Sequence, residues 1–350
     1  MENQPPVITE DATRPFDGEP TPIAFGFAGR GLDFFHIWIV NLLLTAITLG
    51  LYLPWARVRV KRFFYEHTRL GEEPFAYLAD PRRIFKAYLL VIAAYLVLLA
   101  LELVDPVLST LGWVAVVLII PWLIVKMLRF AARNSAYRGI RFRFNGSTGE
   151  SYFLFLLAPL LTVLSLGIAA PYFHWRRHRF YATGHFLGSD GFQFDATIPS
   201  YYRVFLGTVL IAAAGGAILF AAMFSFTAGI SAVLSWPGVI AASAVIFYAL
   251  TYFRTRLYNL RWSGTSYRGY SFQAALSVKD LFLLSIKNSV LTLLTLGLYY
   301  PVAQVRFAAL YLDALEFESA EVVENIRGLA GEEEGALGEA SDALLDFDIA

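Results

Sequence analysis

Two long stretches of the chain are almost free of charge. Between Val204 and Phe253 there is no Asp, Glu, Lys or Arg, and between Ala87 and Val125 the only charges are Glu102 and Asp105. At about 20 residues per crossing, each stretch is long enough to span a bilayer twice. The pattern predicts four long helices, over 84–104, 108–126, 202–226 and 237–253. Asp105-Pro106 and Ser235-Trp236-Pro237 supply the turns or helix starts. Elsewhere, short alternating runs (Phe25-Gly-Phe, Arg141-Phe-Arg-Phe and Phe192-Gln-Phe) predict small β-ribbons outside the bilayer.

The other apolar segments share one interruption. Leu-Thr-Ala-Ile-Thr-Leu-Gly-Leu-Tyr-Leu-Pro at Leu44 to Pro54 returns as Leu-Thr-Val-Leu-Ser-Leu-Gly-Ile-Ala-Ala-Pro at Leu161 to Pro171. It returns again as Leu-Thr-Leu-Leu-Thr-Leu-Gly-Leu-Tyr-Tyr-Pro at Leu291 to Pro301. Gly50, Gly167 and Gly297 stand 117 and 130 residues apart, and Tyr137-Arg138-Gly139 recurs 130 residues on as Tyr267-Arg268-Gly269. Such spacing marks internal duplication. The expected organisation is a polar N-terminus at 1–22, a first repeat at 23–143, a second at 144–272, a half-repeat at 273–317 and an acidic tail at 318–350. The repeats hold broken helices over 34–66, 152–181 and 280–312, each with Gly and Pro at the break.

Basic residues near helix ends stay in the cytoplasm. The ends at Arg82-Arg83, Arg129 to Arg143, Arg203 and Arg254 to Arg268 are basic, whereas the loops at Asp105 and Ser235 carry no base. The four long helices therefore read as two hairpins entering from and returning to the cytoplasm. The broken segments either dip into the bilayer and return, or cross it to give seven spans. The expected fold class is an all-α integral membrane protein: a polytopic helical bundle with internal repeats of a broken or re-entrant helix plus a transmembrane hairpin, and short cytoplasmic β-ribbons.

Composition agrees. Of 350 residues 57% are hydrophobic and only 16% charged, against roughly a quarter charged in soluble domains. The net charge of zero hides a segregation, because the stretch from Asp313 onward is strongly acidic with Arg327 as its one base. Cysteine is absent, which excludes disulfides and thiol chemistry. The first thirty residues lack a basic n-region and an apolar h-region, so no cleavable signal peptide is expected.

Candidate chemistry is sparse. Arg129, Arg133, Arg138, Arg141 and Arg143, interleaved with Phe130, Tyr137, Phe142 and Phe144, suit a phospholipid headgroup or another anion, because guanidinium binds phosphate bidentately. They equally suit an ordinary basic flank with an aromatic belt. Arg57, Arg59, Arg176, Arg177 and Arg268 share both readings. Asn41, Lys287 and Asn288 are polar within apolar runs, which points to a functional site, to helix–helix hydrogen bonding or, for Lys287, to snorkelling. His174 and His178 are spaced to share a helix face, but Arg176, Arg177 and Arg179 around them oppose a metal cation. Phosphate loops, nucleophile elbows and zinc-protease motifs are missing. No enzyme, cofactor, metal or nucleic-acid partner is expected; the partners expected are anionic phospholipid and a cytoplasmic protein recruited by the acidic tail.

Phe34-Phe-His-Ile-Trp-Ile-Val-Asn-Leu-Leu-Leu-Thr, Leu49-Gly50, Pro54-Trp55-Ala56-Arg57-Val58-Arg59, Arg133-Asn134-Ser135, Tyr137-Arg138-Gly139 and the acidic end at Asp346 resemble the YjgN-like bacterial inner-membrane proteins, a domain family of unknown function. The resemblance runs from about Ile23 onward. It implies a multi-pass inner-membrane location and brings no catalytic residues. The second unit departs from the pattern, with Ala158-Pro159 where the others have Val40-Asn41 and Lys287-Asn288. A transporter-like or lipid- and anion-interacting protein is the first functional expectation. A membrane-anchored scaffold with its C-terminus in the cytoplasm is the second.

Overall fold

The computed structural model describes residues 21–227 and 232–323. Its chain is organised as five units, each a strand, a pair of helices and a returning strand. The first runs β1 (Ile23–Phe27), α1 (Gly31–Ile47), α2 (Leu53–His67) and β2 (Thr68–Leu70). The second runs β3 (Glu73–Tyr77), α3 (Pro81–Val104), α4 (Pro106–Arg133) and β4 (Ser135–Tyr137). The third begins with β5 (Ile140–Phe144) and a first helix of three pieces, α5 (Thr148–Tyr152), a π-helical stretch (Phe153–Leu157) and α6 (Ala158–Leu164). It ends with α7 (Ala170–Gly184) and β6 (His185–Leu187). The fourth is β7 (Asp190–Phe194), α8 (Ile198–Thr227), α9 (Ala232–Ser263) and β8 (Thr265–Tyr267). The fifth is β9 (Tyr270–Ala274), α10 (Val278–Leu294), α11 (Tyr300–Asp313) and β10 (Leu315–Phe317).

The ten strands form one closed antiparallel barrel in which each pairs with its neighbours in sequence. β1 closes on β10, with Ile23 opposite Phe317 and Ala24 opposite Glu316. All five helix pairs leave from one rim, and two-residue turns join the units at the other. In two of these turns both residues have positive φ, Arg138 at 51° with Gly139 at 85°, and Arg268 at 52° with Gly269 at 82°. That is the type I′ geometry whose twist matches a hairpin of right-twisted strands.

The barrel overturns the all-α expectation. Strands of three to five residues are too short for alternation to be read. Strand pairs such as β3–β4 and β7–β8 are separated in sequence by two entire helices, so closure leaves no local trace. The runs at Phe25, Arg141 and Phe192 are staves of the barrel rather than isolated ribbons.

Aromatic side chains fill the interior, as they must in a barrel with so little strand length. Phe272 lies 6.1 Å from Phe25, 6.2 Å from Phe192, 5.5 Å from Trp262 and 4.8 Å from Phe317, centroid to centroid. The hydroxyls of Tyr137 and Tyr267 donate to the carbonyls of Leu70 and Leu187 at 3.1 and 3.0 Å. After β10 the chain turns under the barrel. Val322 and Val323 are buried in the same core, and Arg138 Nη1 donates to the Val323 carbonyl at 2.8 Å.

The helices also close a ring. Each packs on the next, and α11 packs on α1. α3, α4, α8 and α9 are long and apolar enough to cross a membrane. Because both ends of every helix pair are strands of one barrel, each pair that enters a bilayer returns to the side it left, which excludes seven spans.

Units one, three and five reverse at Thr48-Leu49-Gly50, Ser165-Leu166-Gly167 and Thr295-Leu296-Gly297. The leucines have φ of 50–51° and the glycines 87–93°. Gly50, Gly167 and Gly297 donate to the carbonyls of Thr45, Thr162 and Thr292 at 2.7–2.8 Å, the Schellman arrangement for ending a helix. The Thr48, Ser165 and Thr295 hydroxyls then accept the N–H of Tyr52, Ala169 and Tyr299, so one side chain closes the first helix and caps the second. Pro54, Pro171 and Pro301 lie in the first turn of that second helix, where a missing N–H costs nothing.

Candidate functional site

At the foot of unit four, where α8 leaves the barrel and α9 returns, lies a cleft of about 560 Å³. Trp175 Nε1 donates to the Ala196 carbonyl at 2.6 Å, and Asp195 N to the Gly264 carbonyl at 2.8 Å, which fixes the segment before α8 against the end of α9. A Cβ on Gly264 would stand 2.4 Å from that of Ala196, so the approach requires glycine. Thr197 and Ser200 share a hydroxyl hydrogen bond of 2.9 Å, and Arg203 Nη2 donates to Ser200 Oγ at 3.0 Å. Arg256, 5.4 Å from the Tyr252 ring, faces Arg203 across the cleft, and both arginines are exposed. Val204 and Tyr252 continue the wall upward into the apolar helices. Two guanidinium groups and two hydroxyls thus sit directly below a membrane-spanning pair. The corresponding cleft at the foot of unit five is lined by Asp280, Asp313 and Glu316, and burial raises the Asp313 carboxyl above the ordinary range. Of these two clefts, the one in unit four suits an anion.

A second cluster lies where α7 meets α8 and α9. His178 Nδ1 is 2.7 Å from Tyr201 Oη, and Arg177 Nη2 donates to His174 Nδ1 at 3.0 Å. Burial, reinforced by Arg177, lowers the His174 pKa to about 4. Burial, then Arg261, Arg177 and His174, lowers that of His178 to about 3. Both imidazoles are neutral in the folded chain at pH 7, and on unfolding they return to the ordinary histidine value of 6.5. Their contribution is therefore present above about pH 6.5 and lost as pH falls, toward about 4 for His174 and about 3 for His178, at up to roughly 1.4 kcal/mol per pH unit for each histidine. The melting temperature should drop over that window, and His178→Asn should flatten the drop. A melting profile equally steep in wild type and variant would contradict this assignment.

The arginines singled out as anion or headgroup candidates are spread over the molecule. Arg138 and Arg268 occupy the turns at the closed end, where Arg268 pairs with Asp190 at 2.5 Å. Arg57 and Arg59 are exposed in the first half of α2, nearer the reversal at Gly50 than the barrel; Arg133 is exposed near the helix rim, and Arg129 is half-buried there, with its Nη2 3.5 Å from the Gly146 carbonyl. Arg143 lies on β5 and donates to the Gly188 carbonyl. Arg176 pairs with Glu150 at 3.0 Å and stacks 4.1 Å from the Phe153 ring centroid. The β4–β5 turn is what splits the dense Arg129 to Arg143 run.

Lys287 is exposed on the outside of α10, as a snorkelling lysine would be. Asn41 and Asn288 are buried. Counted nine residues back from the turn glycine, their equivalent in unit three is Ala158, itself buried, with Pro159 following it. Asn41 Nδ2 reaches the Ala56 carbonyl at 3.5 Å. Asn41 Oδ1, both amide atoms of Asn288 and the hydroxyls of Tyr52 and Tyr299 find no partner among the described residues. Unit three has Ala158 and Ala169 at these two registers, so the polar pair is present or absent as a pair.

Arg203 and Arg256 served only to orient the chain at the sequence level, because a lone base at the end of an apolar run is the usual positive flank. Their closeness depends on the hairpin fold of α8 and α9, since 53 residues of sequence separate them. Among the described residues no group of three or more His, Cys, Asp or Glu could hold a metal. The acidic tail beyond Val323 and the N-terminal residues 1–20 lie outside the described residues.

Residues 22–344 match the family described as "Bacterial protein of unknown function (DUF898)". Inner membrane protein YjgN of Salmonella typhimurium is 37% identical over 143 residues, 41% of this chain and 36% of that protein. Inner membrane protein YjgN of Escherichia coli O157:H7 is 30% identical over 145 residues, again 41% and 36%. The chain thus spans little more than a third of the length of the curated relatives it matches. No solved structure matches it.

Proposed function

We propose that this chain, which belongs to the bacterial protein family DUF898, holds its barrel at the cytoplasmic face of the inner membrane and binds anionic phospholipid headgroups at the feet of its helix pairs. The unit-four cleft carries the reading. Arg203 and Arg256 stand at the depth where a headgroup meets its acyl chains, with Ser200 and Thr197 as hydroxyl partners and Val204 and Tyr252 as the apolar wall above. The orientation follows from charge. Arg82, Arg83, Lys126, Arg129, Arg203, Arg254 and Arg256 all lie at the barrel ends of the long helices, while the α3–α4 connection at Asp105 bears none.

Lipid titration of the full chain in detergent micelles tests this. Wild type should bind phosphatidylglycerol in preference to phosphatidylcholine, and Arg203→Gln combined with Arg256→Gln should weaken phosphatidylglycerol binding about tenfold, the effect of losing one or two charge-assisted contacts. Equal affinity of wild type and double variant would remove the cleft from the account.

A further inference from the structure

We propose that the unit-four cleft takes a phospholipid with two phosphates joined by one glycerol, the cardiolipin headgroup, with one phosphate on Arg203 and the other on Arg256. This rests on the headgroup reading above and names the lipid class. The two arginines belong to two walls of the cleft, and each wall is anchored separately. On the α8 side, Arg203 Nη2 donates to Ser200 Oγ at 3.0 Å, and Ser200 bonds Thr197 at 2.9 Å. The root of that helix is held to α7 by the bond from Trp175 to the Ala196 carbonyl. On the α9 side, Arg256 lies over the Tyr252 ring at 5.4 Å. That wall is tied to unit five, because Asn259 Oδ1 accepts the Leu276 N–H and its Nδ2 donates to the Leu276 carbonyl, both at 3.0 Å. Ser263 Oγ accepts the Ala274 N–H at 3.1 Å beside it. Walls held from both sides set the width of the cleft before a ligand arrives, and such preorganisation favours the ligand whose own spacing fits.

The space and its lining suit two phosphates better than one. The cleft measures about 560 Å³, and at about 30 Å³ for a water-sized group one phosphate fills a minor part of it. Two phosphates and their bridging glycerol fill far more. Thr197 and Ser200 line the same cleft and keep lone pairs for the free hydroxyl of that glycerol. Asp195, the one carboxylate in the lining, accepts the Ser266 hydroxyl at 3.2 Å at the barrel edge, where it repels phosphate from the floor and leaves the arginines as the seats. Beyond Val204 and Tyr252, α8 exposes Leu206, Val209 and Leu210 and α9 exposes Tyr248 and Leu250, so acyl chains have apolar surface on both helices. Once one phosphate is seated, the short glycerol linker presents the second at high local concentration.

The full chain in detergent micelles is titrated with cardiolipin and, separately, with phosphatidylglycerol at matched phosphate concentration. Wild type should bind cardiolipin at least about tenfold more tightly. Arg203→Gln or Arg256→Gln alone should remove about tenfold of the cardiolipin affinity and change phosphatidylglycerol binding by less than about threefold, because the other arginine still seats a single phosphate. Arg203→Lys and Arg256→Lys, which keep the charge but not the fork, should retain part of the preference, and thermal melting checks that each variant is folded. Similar affinities of wild type for the two lipids, or a single substitution that weakens phosphatidylglycerol binding as much as both together, would mean that the guanidinium groups converge on one phosphate. The two-phosphate assignment then fails and the headgroup reading stands. A cardiolipin preference that survives Arg203→Gln combined with Arg256→Gln also overturns the assignment, by placing the preference elsewhere. If that double variant binds both lipids like wild type, the cleft is not a lipid site and both readings fall.

Discussion

Phe272→Ala should destabilise the protein by about 3–5 kcal/mol, the usual cost of deleting a buried aromatic ring from a packed core. The size follows from what the ring touches. Phe272 is 7% exposed on β9 and packs on Phe25 of β1, Phe192 of β7, Phe317 of β10 and Trp262 of α9. One side chain therefore spans the seam at which the barrel closes. Few other contacts can take over its role, because β10 and β1 share only two paired positions, Ile23–Phe317 and Ala24–Glu316. Denaturant or thermal unfolding in detergent measures the effect, and membrane abundance should fall with it. Phe220→Ala is the control. That ring is 73% exposed on the outside of α8, and its loss should change stability by less than about 0.5 kcal/mol. Equal effects of the two substitutions would mean that the barrel is not the core.

The barrel is also where sequence and structure part most clearly. The four long helices are legible because membrane crossing needs an uninterrupted apolar run, and charge-free stretches such as Val204 to Phe253 supply one. The reversals are legible because Leu-Gly-x-x-x-Pro combines a positive-φ position with a helix start, and both signals are local. Strand closure has no such signal. Phe142 meets Leu187 across β5 and β6, and Phe192 meets Tyr267 across β7 and β8, with an entire helix pair intervening each time. The candidate site fails to show for the same reason. Arg203 and Arg256 come together only when α8 and α9 fold back on the barrel. Conversely, the cluster that is dense in sequence, Arg129 to Arg143, is dispersed by the type I′ turn at Arg138-Gly139. Proximity along the chain misleads wherever the chain reverses.

Closure of the barrel carries a topological consequence as well, and accessibility labelling should give an all-or-none answer. The chain has no cysteine, so single-cysteine variants need no prior replacement. With an impermeant maleimide, Val104→Cys, 82% exposed at the far end of α3, should react only from the outer face of the inner membrane. Ser189→Cys at the turn rim and Thr183→Cys at the end of α7 should react only from the cytoplasmic face. The reversal tips should belong to neither face. Leu49, Leu166 and Leu296 are 93%, 92% and 93% exposed in a left-handed conformation that costs a leucine about 1–2 kcal/mol. Surrounding lipid would remove the cost of holding three leucines out in this way. At 17 residues, α1 and α10 each rise about 26 Å, less than the roughly 30 Å of hydrocarbon, and their first turns stand at the barrel. Leu49→Cys, Leu166→Cys and Leu296→Cys should accordingly resist the reagent from both faces and react once the membrane is dissolved. Labelling of Thr183→Cys from the outer face would place α7 across the bilayer and β6 on the wrong side for pairing with β5 and β7. The barrel would then be open, and the five-unit ring with its unit-four cleft would have to be abandoned.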